Sequence, residues 1–111
     1  MGHANAIWQG DANAWVLRAL HLASADCPIL NVTGPETVSI RWLGTRLGHA
    51  PIFAGEKAPA ALLSNAARAF AQFGYPKVAL LTMIDWVADW VSRGRRSLGR
   101  ATKFEVRDGR F

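Results

Sequence analysis

Glycine and proline interrupt this 111-residue chain so often that no regular element has room to grow long. Pro28, Gly34-Pro35, Gly48, Pro51, Gly55, Gly74, Pro76 and Gly94 divide it into short pieces. Proline stops a helix because it lacks an N–H and clashes with the preceding turn. Glycine stops one by adopting the left-handed conformation that satisfies the last carbonyls. Short helices and shorter strands are what fit between such stops.

Asp11 stands where an N-cap belongs and predicts a helix over about 12–24, with Ala12, Val16, Ala19, Leu20 and Ala23 as its apolar stripe. Ile29 to Thr33 reads as a strand, closed by Gly34-Pro35. Ser39 predicts a second helix, with Ile40, Leu43 and Leu47 on one face and Gly48 as its end. Pro51 to Gly55 reads as a second strand, parallel to the first because a helix lies between them. Ser64 is expected to cap a helix bearing Ala66, Ala69, Phe70 and Phe73, and Thr82 a last helix with Met83, Ile84, Val87, Trp90 and Val91 inward. The expected fold is a small α/β domain of about four helices and a short parallel two-stranded sheet.

The chain is 50% hydrophobic and 19% charged, which is globular composition rather than that of a disordered segment. Its net charge of +5 lies at one end. From Arg93 onward seven basic residues face Glu105 and Asp108, and the six basic and six acidic residues before them cancel. Residues 1–94 are therefore expected to form the domain and 95–111 a basic tail. With Phe104 as a stacking ring that tail could serve a nucleic-acid binder, but its acids interrupt the charge and nucleic acid is not the expected partner. No apolar run approaches the ~20 residues of a membrane span, and the N-terminus has no secretory pattern. A single cysteine, Cys27, rules out an internal disulfide, and a reduced cytoplasmic protein is expected.

Most catalytic devices are missing. No Gly-x-Gly-x-x-Gly turn is present to bring backbone N–H groups to a pyrophosphate. His3, His21 and His49 are too far apart in sequence to suggest a zinc site, and Cys27 lacks a nucleophile's signature. Asp85 and Asp89 are one helical turn apart, opposite the apolar stripe, and read as a solvated face. Five tryptophans are many for this length. Trp86 and Trp42 widen the apolar arcs of their helices beyond what a small domain readily buries.

Four segments taken in order carry a resemblance: Trp8-Gln9-Gly10-Asp11-Ala12-Asn13-Ala14; Leu30-Asn31-Val32-Thr33-Gly34-Pro35-Glu36-Thr37-Val38-Ser39; Phe73-Gly74-Tyr75-Pro76; and the helix from Met83 to Val91. Together they resemble the C-terminal third of the extended short-chain dehydrogenases, the NAD-dependent epimerase/dehydratases. That resemblance implies the C-terminal lobe of an extended short-chain dehydrogenase, the lobe that closes over substrate. The family's nucleotide-binding (Rossmann) domain and its Tyr-x-x-x-Lys pair have no counterpart here, since Tyr75 is followed at the fourth position by Ala79. The implied protein holds no cofactor, no metal and no catalytic residue, and is not an enzyme alone. It would be a truncated product, an excised domain or half of a split enzyme. Trp8 and Gln9 are the implied substrate-lobe residues. Ala4 stands where nucleotide-sugar epimerases commonly carry arginine, which argues against a UDP-sugar. Ile7, Trp8 and Trp42 are the expected interface, shared with a second copy in a homodimer or with a separate Rossmann-type domain. A homo-oligomeric interaction module that reuses the lobe without substrate is the alternative.

Overall fold

The computed structural model describes residues 2–24, 26, 29–48, 52, 61–97 and 99. The elements run β1 (His3–Asn5), α1 (Gln9–Ala19) with a 3-10 turn at Leu20–Leu22, β2 (Thr37–Ser39), α2 (Ile40–Arg46), β3 (Ala61–Leu62), α3 (Ala67–Phe73) and α4 (Leu80–Ser92). The described residues form a small α/β domain of four α-helices and one mixed three-stranded sheet.

The sheet differs from the expected one. Its order is β2-β1-β3, with β1 antiparallel to β2 (Ala4 opposite Val38) and parallel to β3 (Ala4 opposite Leu62). Ile29 to Thr33 form no strand. Ile29 is exposed, and the segment is fastened at points: Asn31 Nδ2 donates to Asn65 O at 3.0 Å and Gly34 N to Ala6 O at 3.1 Å. Of the second expected strand only Ile52 is described; it lies in no strand and is 99% exposed. Residue 51 and residues 53–55 lie outside the described residues. The parallel pair exists, but between β1 and β3. Apolar runs alone do not separate a strand from an extended connector. The real central strand, His-Ala-Asn, is too short and too polar to announce itself.

Asn5 shows how so short a strand is held. Its amide Nδ2 donates to Ser64 O at 2.8 Å and its Oδ1 accepts from Ser64 N at 3.1 Å, so the side chain continues the ladder to the β3 side. Ser64 is thereby engaged and does not cap α3. The N-cap is Ala66, which has no side-chain acceptor, and Asn65 Oδ1 just before it accepts from Ala67 N, the first N–H of the helix, at 2.9 Å. Ser39 does cap α2, with Oγ accepting from Trp42 N at 3.4 Å. Helices α2, α3 and α4 run out into Gly48, Gly74 and Gly94, each with positive φ.

Among the described residues two apolar clusters form the core. In the first, Trp15, Ala66 and Ala69 are buried with Ile7, Phe70 and Phe73 against them, as the α3 stripe leads one to expect. The indole of Trp15 lies 5.9 Å from the Phe70 ring and 5.8 Å from that of Phe73. The α1 stripe is rotated from its expected setting: Trp15 and Asp11 face inward and Val16 and Leu20 outward. Burying the large indole gains more than burying a valine, and it sets the helix's roll. In the second cluster Val38, Leu80 and Ile84 are buried, with Leu43 and Met83 beside them. Only the first half of the expected α4 stripe is covered; Val87, Trp90 and Val91 remain exposed.

Candidate functional site

The segment from Trp8 to Asp11 is where sequence and geometry concentrate. Trp8 is the N-cap of α1, in extended conformation, and its carbonyl accepts from Ala12 N at 3.0 Å. The helix begins three residues before the place Asp11 suggests. Asp11 sits inside the first turn, buried, and its Oδ2 accepts from Val78 N at 2.9 Å. An aspartate that reads as a local cap is in fact a tertiary tie to the segment after Gly74-Tyr75-Pro76.

The Trp8 indole folds back over this first turn. A Cβ on Gly10 would lie 2.7 Å from Trp8 Nε1, so glycine is what lets the ring take this position. The ring then meets Trp86 of α4 edge-on, with centroids 5.2 Å apart and planes at 75°. That geometry suits the ring quadrupoles. Gln9 is exposed at the first position of α1, beside the half-open Trp8. These two are the residues of this segment free to touch a ligand.

Of the interface candidates, Ile7 is half-buried against the Trp15 cluster. Trp42 is exposed on α2, one turn before Arg46, whose guanidinium pairs with Asp85 of α4 at 3.0 Å. Trp8 and Gln9 stay together, while Ile7 is taken up by the core. The Trp86 partner of Trp8 was not legible in the sequence, where it only widened the α4 arc. A contact between residues so distant leaves no periodic signal.

Asp85 and Asp89 are engaged as ordinary surface charges, Asp85 with Arg46 and Asp89 with Arg93 at 2.7 Å. A cleft of about 240 Å³ lies between Leu22, Leu30, Arg68, Ala71 and Gln72, and none of the expected site residues lines it. It is smaller than the ~300–1,000 Å³ usual for a ligand pocket. Among the described residues no three His, Cys, Asp or Glu side chains are grouped to hold a metal. His49, Cys27 and Phe104 lie outside the described residues. No described helix is long and apolar enough to cross a membrane. No family model, no curated protein and no solved structure matches the chain.

Proposed function

We propose that this chain is a substrate-side lobe of the NAD-dependent epimerase/dehydratase type, acting beside a nucleotide-binding domain that these 111 residues do not contain. The observation that supports the reading is the use made of the segments that carry the resemblance. Asp11 of the first ties down Val78, just after the third. Gly34 of the second donates to Ala6 O, and Glu36 of the same segment accepts from Leu80 N at the start of the last helix. The polar residues of these segments thus serve the frame, and Trp8 and Gln9 are left facing outward where two segments meet. A hydrophobic ring beside an amide is suited to a sugar, whose apolar face stacks while its hydroxyls take hydrogen bonds. Ala4, half-buried in β1, supplies no cation for a uridine diphosphate.

The lobe by itself holds no dinucleotide, because no glycine-rich turn is there to receive the pyrophosphate. Titration of 15N-labelled chain with hexoses, hexose phosphates and nucleotide sugars, with NADH in parallel, tests the reading. The expected result is movement of the Trp8 indole N–H and Gln9 amide signals with a ligand of the sugar class and no saturable response to micromolar NADH. Saturable NADH binding, or sugars that leave both residues unmoved, would overturn it.

A further inference from the structure

The apolar stripe of α4 is longer than the body that covers it. Leu80 and Ile84 are buried against Val38. One turn on, along the same face, Val87 is 46% exposed and Val91 53%, with Trp86 at 48% and Trp90 at 47% beside them. At about 100° per residue these four span roughly 140° of the helix. Asp85 and Asp89 lie on the other side, each occupied by an arginine, Arg46 and Arg93. A plane laid against the apolar side therefore meets no acidic group of α4.

The chain after α4 brings cations to the edge of this arc. Gly94 takes a positive φ and Arg95 N donates to Trp90 O at 3.1 Å, so the backbone doubles back toward Trp90. The Arg95 guanidinium lies 5.3 Å from the Trp90 ring centre, and Trp90 Nε1 donates to Arg96 O at 3.2 Å. Because the indole N–H is satisfied within the chain, the ring can leave water without stranding a donor. Arg95 and Arg96 are exposed and form no ion pair among the described residues, so their charge stays available at the rim. From Arg93 onward the sequence carries seven basic residues against two acidic, while the residues before it balance.

We propose that this end of α4 rests on an anionic lipid surface, with Trp86, Val87, Trp90 and Val91 at the acyl boundary and Arg95 and Arg96 on headgroup phosphates. Tryptophan and aliphatic side chains bordered by arginine are what an interfacial helix presents. Its apolar gain adds to the attraction of its cations for anionic lipid. Four half-exposed side chains fall well short of the ~800 Å² per partner of a stable protein interface. A bilayer sets no such minimum, because it moulds to the patch and charge completes the binding. Nucleic-acid bases fit less well: the Trp90 ring is already engaged by Arg95, and Val87 and Val91 present no stacking plane. With 13 residues α4 lies on the surface and does not cross it. The proposal is independent of the substrate reading, which uses Trp8 and Gln9.

Co-sedimentation of the full chain with phosphatidylcholine vesicles, with and without phosphatidylserine, tests this. Binding is expected with phosphatidylserine, is expected to weaken as salt rises, and is expected to be slight without it. Val87→Asp, Val91→Asp and the pair Arg95→Glu with Arg96→Glu are each expected to lower the partition coefficient about tenfold or more. Arg95→Lys with Arg96→Lys keeps the charge and is expected to keep the binding. All these positions are exposed, so circular dichroism and melting of the variants are expected to match the parent. Brominated acyl chains are expected to quench the tryptophan fluorescence of the unchanged chain, a readout that needs no variant. No binding to phosphatidylserine vesicles, or binding without quenching, would overturn the proposal. Binding that both valine variants leave intact would mean that basic charge acts alone, and would overturn it too. So would a DNA duplex that binds as tightly as the vesicles and is equally indifferent to the valines, which would make this end a nucleic-acid contact.

Discussion

Asp11 and Val78 are joined across 67 residues by one hydrogen bond, the backbone N–H of Val78 donating to the buried carboxylate of Asp11 at 2.9 Å. Asp11 lies one turn before Trp15, in the first cluster, and Val78 shortly before Leu80, in the second. The bond therefore fastens the segment leading into α4 to the first turn of α1, the two helices whose Trp86 and N-cap Trp8 rings meet.

Removing it should be costly. Asp11→Ala leaves the Val78 N–H without its acceptor, and such a loss typically costs about 1–3 kcal/mol. Asp11→Asn keeps an acceptor oxygen and is expected to lose less. Urea denaturation followed by circular dichroism reads both, and an unchanged midpoint for Asp11→Ala would mean that water satisfies Val78 equally well.

Glu36 caps α4 from a distance, its Oε2 accepting from Leu80 N at 2.7 Å. Ala79, the N-cap itself, offers no side-chain acceptor. The carboxylate also lies at the positive end of a 13-residue helix. Glu36→Ala should destabilise the domain by about 1 kcal/mol, the usual worth of a cap. Amide exchange is expected to rise first at Leu80 and Leu81. Thr82→Ala, at the position the sequence suggests for this cap, should leave those amides as they are.

Gly34 passes so near β1 that a Cβ would lie 2.2 Å from Ala6 O. The obstacle is backbone, which cannot swing aside as a long side chain can. Gly34→Ala must push the two segments apart and disturb the bond from Gly34 N to Ala6 O. A loss of about 1–3 kcal/mol is expected, the scale of overpacking. A thermal melt checks it, and a parent-like midpoint would show that the segments separate freely.

Ile84 and Val87 are one turn apart on α4 and should respond oppositely to the same change. Ile84→Asp buries an unpaired carboxylate, at a cost of several kcal/mol against a total stability of ~5–15 kcal/mol, and is expected to unfold the domain. The 46% exposure of Val87 leaves a carboxylate there in water. Its dilute variant is expected within about 0.5 kcal/mol of the parent. The stripe alone would have predicted unfolding at both. Parallel melts of the two variants decide the matter.

What the sequence determined by itself is local. Gly48, Gly74 and Gly94 mark where helices end because positive φ is a property of the residue and its immediate chain. Ser39 caps α2, and the Ala66, Ala69, Phe70, Phe73 stripe turns inward, because both depend on spacings within one helix. The tertiary structure decided what depends on a distant partner. Ile29 to Thr33 have strand composition and yet form no strand, while polar His3–Asn5 become the central one because Thr37–Ser39 and Ala61–Leu62 come to lie on either side. Asp11 and Glu36 cap or tie segments far along the chain, and no local pattern encodes which N–H a carboxylate will find. The α4 stripe is continuous in sequence, but burial depends on how far the neighbouring elements extend. That length, and with it the exposure of Val87, Trp90 and Val91, exists only once the chain has folded.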